Sequence, residues 1–276
     1  MRRGDDKITE NPDVLYAVAD HVATVTLNRP ERMNTISRDM LDQLTAHLLA
    51  ADADPDVRVV VLTGTGRAFC AGLDLSEVTK TATGKGGGIT SGTEIATNID
   101  LRNTPPTVLF NMGTPTICAL NGSAAGYGMD TALGCDMRIM ARGAKMAAAF
   151  TKRGIVPESG GTWFLPRLIG WSKAAELIFT GRTLSAEACL EMGLVSQVVE
   201  PEDLASVARD LALEIAANAP LAVQAAKRMM RMGLSEGFGD HVHHVFLQLL
   251  PLLKSQDARE GMLAFMEKRE PTFTGR

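Results

Sequence analysis

The sequence predicts an α/β fold with a mostly parallel sheet, followed by a helical C-terminal region. Short apolar strands alternate with segments of helical periodicity as far as Val199, a pattern typical of strands paired through crossover helices. From Pro201 onward the pattern is almost entirely helical. We therefore divide the 276 residues into a core at 1–199 and a helical region at 200–276.

The first elements of the core follow from alternation and capping. Residues 14–26 alternate in polarity around a polar pair, which predicts a hairpin. Ser37 is placed to cap a helix that runs to about Ala51, and an apolar run at 58–63 predicts a buried strand. Residues 79–93 are rich in Gly, Thr, Ser and Lys, and we expect a mobile surface segment there, either an active-site lid or a solvated linker.

Helices and short strands alternate through the rest of the core. The third C-terminal helix carries more apolar residues between Val242 and Leu253 than inward packing requires, so this face could cover a partner subunit. The remaining expected elements are a helix at 95–110, strands at 116–120, 137–140 and 145–150, helices at 162–169 and 173–179, a helix capped by Ser185, a strand at 195–199, and C-terminal helices at 202–217, 220–232, 237–254 and 256–269.

Composition and charge exclude several classes of function. Hydrophobic residues make up 45% and charged residues 22%, and the net charge of −4 without a basic tract argues against nucleic acid as a partner. No apolar run approaches the length of a membrane span, and the first residues lead into no apolar segment, so we expect a cytoplasmic protein without a signal peptide. The scattered cysteines are expected to be reduced core residues, namely Cys70, Cys118, Cys135 and Cys189.

Neither the cysteines nor the histidines predict a metal site. The cysteines lack metal-ligand spacing. His241, His243 and His244 are clustered, but successive helical residues do not share a face. We therefore expect these histidines to form a solvated surface rather than a ligand set.

The stretch from Asn121 to Asp136 is the strongest functional signal. A buried apolar strand at 116–120 leads into a turn with three glycines and then into a helix. The first turn of a helix has free N–H groups and lies at the positive end of the helix dipole. It can therefore bind a phosphate, or an oxygen that becomes negative during a reaction. Asp130 lies one turn into the helix, where it could face the same cavity. A tight connection with a solvated aspartate remains the alternative.

A second stretch has the same character. The apolar strand ending at Gly64 runs into Thr65–Leu75. Gly72 within that segment allows close approach of the backbone, and the N–H of Leu73 is a candidate second donor. Two such donors would be able to stabilise one developing negative charge.

With these two stretches together, the chain resembles the crotonase family, also called the enoyl-CoA hydratase/isomerase superfamily. The resemblance implies a crotonase-like spiral of ββα and βαβ units and a C-terminal helical region for trimerisation and active-site closure. It also implies an acyl-CoA substrate, no cofactor beyond the coenzyme A of that substrate, and a homotrimer or dimer of trimers. The matching segments lie in the family's order at 27–34, 69–74, 121–128, 135–136, 157–161 and 257–269.

The resemblance also assigns the binding residues. The backbone N–H groups of Leu73 and Tyr127 would form the oxyanion hole for the thioester oxygen. Phe150 and Trp163 would line the acyl pocket. The residues implied for binding coenzyme A are Arg32, Cys70, Ala71, Phe265 and Lys268, the last two often supplied by a neighbouring subunit.

The acidic residues decide which reaction is expected. The two acids of the family's hydratases fall on Asp130 and on Phe150, and a phenylalanine cannot help to hold a water molecule. A third position, the base of some isomerases, falls on Glu158, although a carboxylate there would also suit a helix N-terminus. We therefore expect double-bond isomerisation by Glu158. The alternatives are hydration by Asp130 with Glu158, and a non-catalytic scaffold that binds acyl-CoA or RNA.

Overall fold

The computed structural model describes residues 12–74 and 103–276, and it confirms the predicted α/β class. The strands of this part of the chain are β1 (Val14–Ala19), β2 (Val22–Leu27), β3 (Val59–Gly64), β4 (Ala68–Cys70), β5 (Thr116–Leu120), β6 (Ser123–Ala125), β7 (Met137–Ala141), β8 (Lys145–Ala147), β9 (Thr183–Ser185) and β10 (Gln197–Val199). The helices are α1 (Arg38–Ala53), α2 (Pro105–Asn111), α3 (Tyr127–Gly134), α4 (Gly161–Ile169), α5 (Trp171–Thr180), α6 (Ala186–Met192), α7 (Leu204–Ala216), α8 (Pro220–Gly233), α9 (Phe238–Leu252) and α10 (Gln256–Glu267).

Six strands form the larger sheet, in the order β1-β2-β3-β5-β7-β10. The predicted hairpin is confirmed as the antiparallel pair β1 and β2, and every other pair in this sheet is parallel. Because parallel strands end at the same edge, β3 and β5 deliver the segments that follow them to one side of the sheet. Those segments are the two glycine-containing stretches.

A smaller sheet has the order β4-β6-β8-β9. Its strands β4 and β6 pair in parallel, and they lie immediately before the donors predicted at Leu73 and Tyr127. The pairing therefore holds both glycine stretches side by side. The two sheets thus act together, since the pairing of β3 with β5 and that of β4 with β6 both fix the relative position of the two segments.

Two of the predicted helix caps are confirmed. The side chain of Ser37 accepts a hydrogen bond from the N–H of Met40 at 3.1 Å, and that of Ser185 accepts one from the N–H of Ala188 at 3.2 Å. Such caps satisfy N–H groups that have no partner within the helix. Of the helix expected at 95–110, residues 95–102 lie outside the described residues, as does the expected lid at 79–93. The helix α2 begins only at Pro105, because Thr104 before it is in an extended conformation and occupies the N-cap position, so the expected start was wrong for residues 103–104.

The larger sheet has an apolar core on each face. One core includes the buried face of α1, and the other contains strand residues of the sheet together with Leu204, Ala208 and Ala212 of α7. The small side chains of α7 let the helix approach the strands closely. The predicted boundary at 199/200 therefore falls just before a helix that packs on the sheet, and the division into two regions stays a prediction.

Helix α9 presents apolar side chains to solvent. None of its residues is buried, and Val242, Phe246 and Leu249 are all more than two-fifths exposed. This agrees with the apolar excess predicted for the segment, while the homotrimer or dimer of trimers stays a prediction. No helix in the described ranges is both long and apolar enough to cross a membrane.

The histidines at the start of α9 have a partner that the sequence pattern did not indicate. His241 and His244 lie one turn apart, and the Nδ1 atoms of both approach the carboxylate of Glu236, at 3.2 Å and 3.1 Å. Across residues 12–74 and 103–276, no three side chains of His, Cys, Asp or Glu are grouped as metal ligands.

Candidate active site

The two glycine stretches contact each other through their backbones. A Cβ atom on Gly128 would lie 2.4 Å from the carbonyl oxygen of Cys70, a distance that no side chain permits. A Cβ atom on Gly72, whose φ is +109°, would lie 3.1 Å from the carbonyl oxygen of Ala125 and 3.9 Å from the nitrogen of Tyr127. Glycine at these positions therefore brings the segment of Leu73 against the start of α3.

The N–H of Leu73 is oriented by a parallel β-bridge with Ile36. The N–H of Ile36 donates to the carbonyl oxygen of Gly72 at 2.8 Å, and the N–H of Asp74 donates to the carbonyl oxygen of Ile36 at 2.9 Å. In a parallel ladder, a residue flanked by two such bonds directs its own N–H to the opposite side. Leu73 therefore points its N–H away from Ile36.

Tyr127 supplies the second N–H. It is the first residue of α3, so its N–H has no acceptor within the helix and lies at the positive end of the helix dipole. The position of a Cβ on Gly72, the residue that precedes Leu73, lies 3.9 Å from the nitrogen of Tyr127, so the segments that carry the two N–H groups are neighbours. Two donors that bind one oxygen, each at about 2.9 Å, are at most about 6 Å apart, and the oxyanion hole formed by Leu73 and Tyr127 stays a prediction.

Glu158 opens onto the space beside these donors. Its side chain is exposed, and together with Leu73 it lines three neighbouring cavities of about 80, 300 and 1050 Å³. Tyr127 lines the two smaller ones. Partial burial among apolar groups raises the pKa of the Glu158 carboxyl, although its own N–H and the Ser159 hydroxyl act in the opposite direction.

Asp130 lies behind the loop that carries Glu158. It is fully buried, and its Oδ2 accepts hydrogen bonds at 3.1 Å from the Ser159 hydroxyl and at 3.1 Å from the N–H of Gly161. Its Oδ1 has no hydrogen-bond partner among the described residues. Burial raises the pKa of Asp130 to about 7, and these two donors only partly oppose the effect.

These positions correct two expectations about the acids. Asp130 lines none of the three cavities that Glu158 lines, so it does not face the cavity as expected. The carboxylate that meets the N-terminus of α4 is that of Asp130, through the N–H of Gly161, and not that of Glu158. Helix capping therefore does not explain Glu158, and the catalytic role of either acid stays a prediction.

The two predicted acyl-pocket residues lie in different cavities. Phe150 is 3% exposed and lines the smallest cavity, where its ring lies about 4 Å from the position of a Cβ on Gly126. Trp163 lines the cavity of about 300 Å³ together with Phe110 and Phe164. Apolar side chains thus surround Glu158 on more than one side.

The predicted coenzyme A residues fall into two groups. Ala71 lines the smallest cavity and its N–H donates to the carbonyl oxygen of Met33 at 3.1 Å, which ties it to the loop that carries the exposed Arg32. Cys70 is buried next to Ala71, and burial raises the pKa of its thiol to about 12. Phe265 and Lys268 are exposed at the end of α10, and neither lines the three cavities.

Asn34 is a structural residue of the site that the sequence analysis did not single out. It is fully buried with φ +53°, and its side-chain N–H groups donate to the carbonyl oxygens of Thr65 at 2.9 Å and Ala68 at 2.8 Å. It thereby fastens the loop of Arg32 to the segment that leads to Leu73. Ser159 was likewise missed, and its place between Glu158 and the glycines of 157–161 was the available signal.

Comparison with known proteins gives consistent matches along the chain. Residues 18–276 match the family described as enoyl-CoA hydratase/isomerase. The chain is 38% identical to the 1,2-epoxyphenylacetyl-CoA isomerase of Escherichia coli over 265 residues, covering 95% of this chain and 98% of that protein. It is 38% identical to the (E)-benzylidenesuccinyl-CoA hydratase of Thauera aromatica over 264 residues, covering 95% and 99%. The crystal structure of an enoyl-CoA hydratase from Bacillus anthracis superposes with a TM-score of 0.88 at 35% identity, covering 96% and 100%.

Proposed function

The chain belongs to the enoyl-CoA hydratase/isomerase family of enzymes, and on that premise we propose that it isomerises the double bond of an enoyl-CoA thioester with Glu158 as the base. The proposal depends on one observation. Among the described residues, Glu158 is the acid that lines the cavities next to the N–H groups of Leu73 and Tyr127, whereas Asp130 is buried behind its loop.

The two backbone donors stabilise the charge that the reaction creates. When Glu158 removes a proton from the carbon next to the thioester carbonyl, the electron pair of that C–H bond delocalises onto the carbonyl oxygen. An oxygen held by the N–H groups of Leu73 and Tyr127 accepts this charge without reorganisation of the donors. Donors of this kind contribute roughly 3–4 kcal/mol each to the stability of the transition state.

Glu158 then completes the isomerisation by returning the proton. In a 3-enoyl thioester, the proton leaves carbon 2 and is delivered to carbon 4, and the double bond moves to carbons 2 and 3. One carboxylate can serve both positions because they lie close together on one side of the chain. Burial raises the pKa of Glu158, and an upward shift makes a carboxylate a stronger base for this exchange.

The same arrangement disfavours hydration. Two carboxylates that hold one water must both reach it, but Asp130 is fully buried and already accepts hydrogen bonds from Ser159 and Gly161. Phe150 is an apolar side chain and cannot supply the second acid. The relatives include proteins named as isomerase and as hydratase, so the geometry of the acids is the argument that separates the two reactions.

The rest of the proposal concerns the substrate and the assembly. The donors suit a thioester, and the apolar surroundings of Glu158 suit an apolar acyl group. Ala71 and Arg32 lie on connected loops where the coenzyme A part would pass. Phe265 and Lys268 lie away from the three cavities of this chain, which is consistent with a role at the site of a neighbouring copy in a trimer.

The test uses the two positional isomers of an enoyl-CoA. A trans-3-enoyl-CoA should gain the absorbance of the conjugated 2-isomer, and a trans-2-enoyl-CoA should not lose it. Glu158→Gln keeps the size of the side chain but removes its basicity, so kcat should fall by about 10²–10⁴-fold while KM changes little.

Two further variants complete the experiment. Glu191→Gln changes an exposed glutamate of α6 and should leave both kinetic constants unchanged. Asp130→Asn should lower kcat less than Glu158→Gln does. The proposal is wrong if Glu158→Gln stays active while Asp130→Asn is inactive, or if the 2-isomer is hydrated.

A further inference from the structure

Three aromatic side chains form one wall of the cavity of about 300 Å³. Phe110 of α2 and Trp163 and Phe164 of α4 contact one another edge to face, with ring centroids 4.9, 5.7 and 5.2 Å apart. Such edge-to-face packing is the favoured arrangement of aromatic rings. The wall is therefore a mutually supported cluster rather than three independent side chains.

A second cavity, of about 530 Å³, is lined by the same three rings. Phe110, Trp163 and Phe164 line both cavities, and each ring is only half-buried. Glu158 lines the first cavity but not the second. The three rings are therefore the lining that the space next to Glu158 shares with a larger space that Glu158 does not line.

Two arginines that line the second cavity contact the residues of the wall. The guanidinium of Arg167 lies 4.1 Å from the centroid of the Trp163 ring and donates to the Trp163 carbonyl oxygen at 3.1 Å. Arg231 donates to the carbonyl oxygens of Phe110 and Met112, the latter at 2.9 Å. Both arginines line only the second cavity, so they fix the indole and the end of α2 without entering the space beside Glu158.

We propose that the Phe110–Trp163–Phe164 wall determines substrate specificity by limiting the length of the acyl group. The first cavity is at the small end of ligand pockets, which span about 300–1,000 Å³, so it suits a short or single-ring acyl group. A longer chain meets the wall. This inference rests on the proposed function in taking the first cavity as the acyl pocket, and not the cavity of about 1050 Å³ that Leu73 and Glu158 also line.

The test measures binding of saturated acyl-CoA thioesters by calorimetry, since these bind without reacting. The series is butyryl-, octanoyl-, dodecanoyl- and hexadecanoyl-CoA. With the wild-type protein, affinity should rise and then level off as the chain lengthens. Trp163→Ala should let the longer chains continue into the second cavity, with a gain of about fourfold in affinity for each methylene newly buried.

A second variant of the wall and a matched control variant are measured alongside Trp163→Ala. Phe110→Ala removes a different ring of the wall and should shift the length preference in the same direction. Leu168→Ala alters a residue of α4 that lines only the second cavity, so the preference should stay that of the wild type. Circular dichroism checks that each variant is folded, and agreement of the two wall variants supports the proposal even if one of them is unstable.

The outcomes separate this inference from the proposed function. If the wild type already gains affinity steadily up to hexadecanoyl-CoA, or if neither folded wall variant changes the length preference, the inference is wrong. Turnover of a short trans-3-enoyl-CoA is measured on the same preparations. Turnover without a shift in length preference overturns the wall alone, whereas a shift without turnover supports the wall and overturns the isomerase assignment.

Discussion

The buried Asp130 should make the stability of the protein depend on pH. Burial raises the pKa of this carboxyl from 3.8 to about 7, so the folded protein keeps a proton over a range in which the unfolded chain has lost it. Stability is therefore greatest below the unfolded pKa and falls as pH rises toward the folded one. One pKa unit corresponds to about 1.4 kcal/mol, so the loss of unfolding free energy between about pH 4 and about pH 7 amounts to up to about 4 kcal/mol.

Asp130→Asn should remove this part of the pH dependence. The asparagine oxygen can still accept from Ser159 and Gly161, and its amide group occupies the place of the Oδ1 that has no partner among the described residues. The variant should therefore have a flatter stability profile than the wild type and a higher stability than the wild type above about pH 7.

The measurement is urea unfolding followed by circular dichroism at several values between about pH 4 and about pH 8, with the slope of each transition checked for constancy. Asp210→Asn, an exposed aspartate of α7, serves as the control and should reproduce the wild-type profile. Parallel profiles for the wild type and Asp130→Asn would show that Asp130 does not hold a proton in the folded protein, which would refute the reasoning.

Two other outcomes are expected. Gly128→Ala should disrupt the contact with the Cys70 carbonyl and destabilise the protein by about 1–3 kcal/mol, measured by thermal unfolding. Gly239→Ala is the control and should not destabilise the protein, because no atom lies within 4 Å of its new Cβ. Equal melting temperatures for the two variants would contradict this account. Lys268→Ala should raise KM for the enoyl-CoA and leave kcat nearly unchanged, because it would contact a part of the substrate that does not react. Sedimentation should show a trimer or hexamer, and a stable monomer would remove Lys268 from the site as proposed.

The sequence predicted the helices and strands and the two glycine-containing segments better than it predicted where the side chains of Asp130 and Glu158 lie. The glycines at 72 and 128 carried local information, because only glycine allows such backbone contacts, and the small sheet then brings the two segments together. The resemblance to the family assigned Glu158 to the position of a base, a role that stays a prediction. The spacing of residues along the chain could not show whether Asp130 faces the cavity. That depends on where the loop of Ser159 and Gly161 packs, which is a contact between segments about thirty residues apart.

The second apolar cavity was also outside the reach of sequence patterns. Phe110 and Trp163 lie on different helices, and nothing in the periodicity of either helix indicates that their rings meet. The carboxylate of Glu236 beside His241 and His244 was missed for a similar reason, since Glu236 precedes the helix and was not considered with it. Contacts of this kind are decided by tertiary packing.

The N–H groups of Leu73 and Tyr127, which we propose as the oxyanion donors, have a consequence for the history of the family. Both are main-chain groups, fixed by a β-bridge and by the start of a helix, so replacement of either side chain does not remove them. On the proposed function, the part of the site that accepts negative charge can therefore be inherited intact while the acids around it are exchanged. Relatives with the same degree of identity to this chain carry the names of an isomerase and a hydratase, as descent from one charge-accepting scaffold would allow.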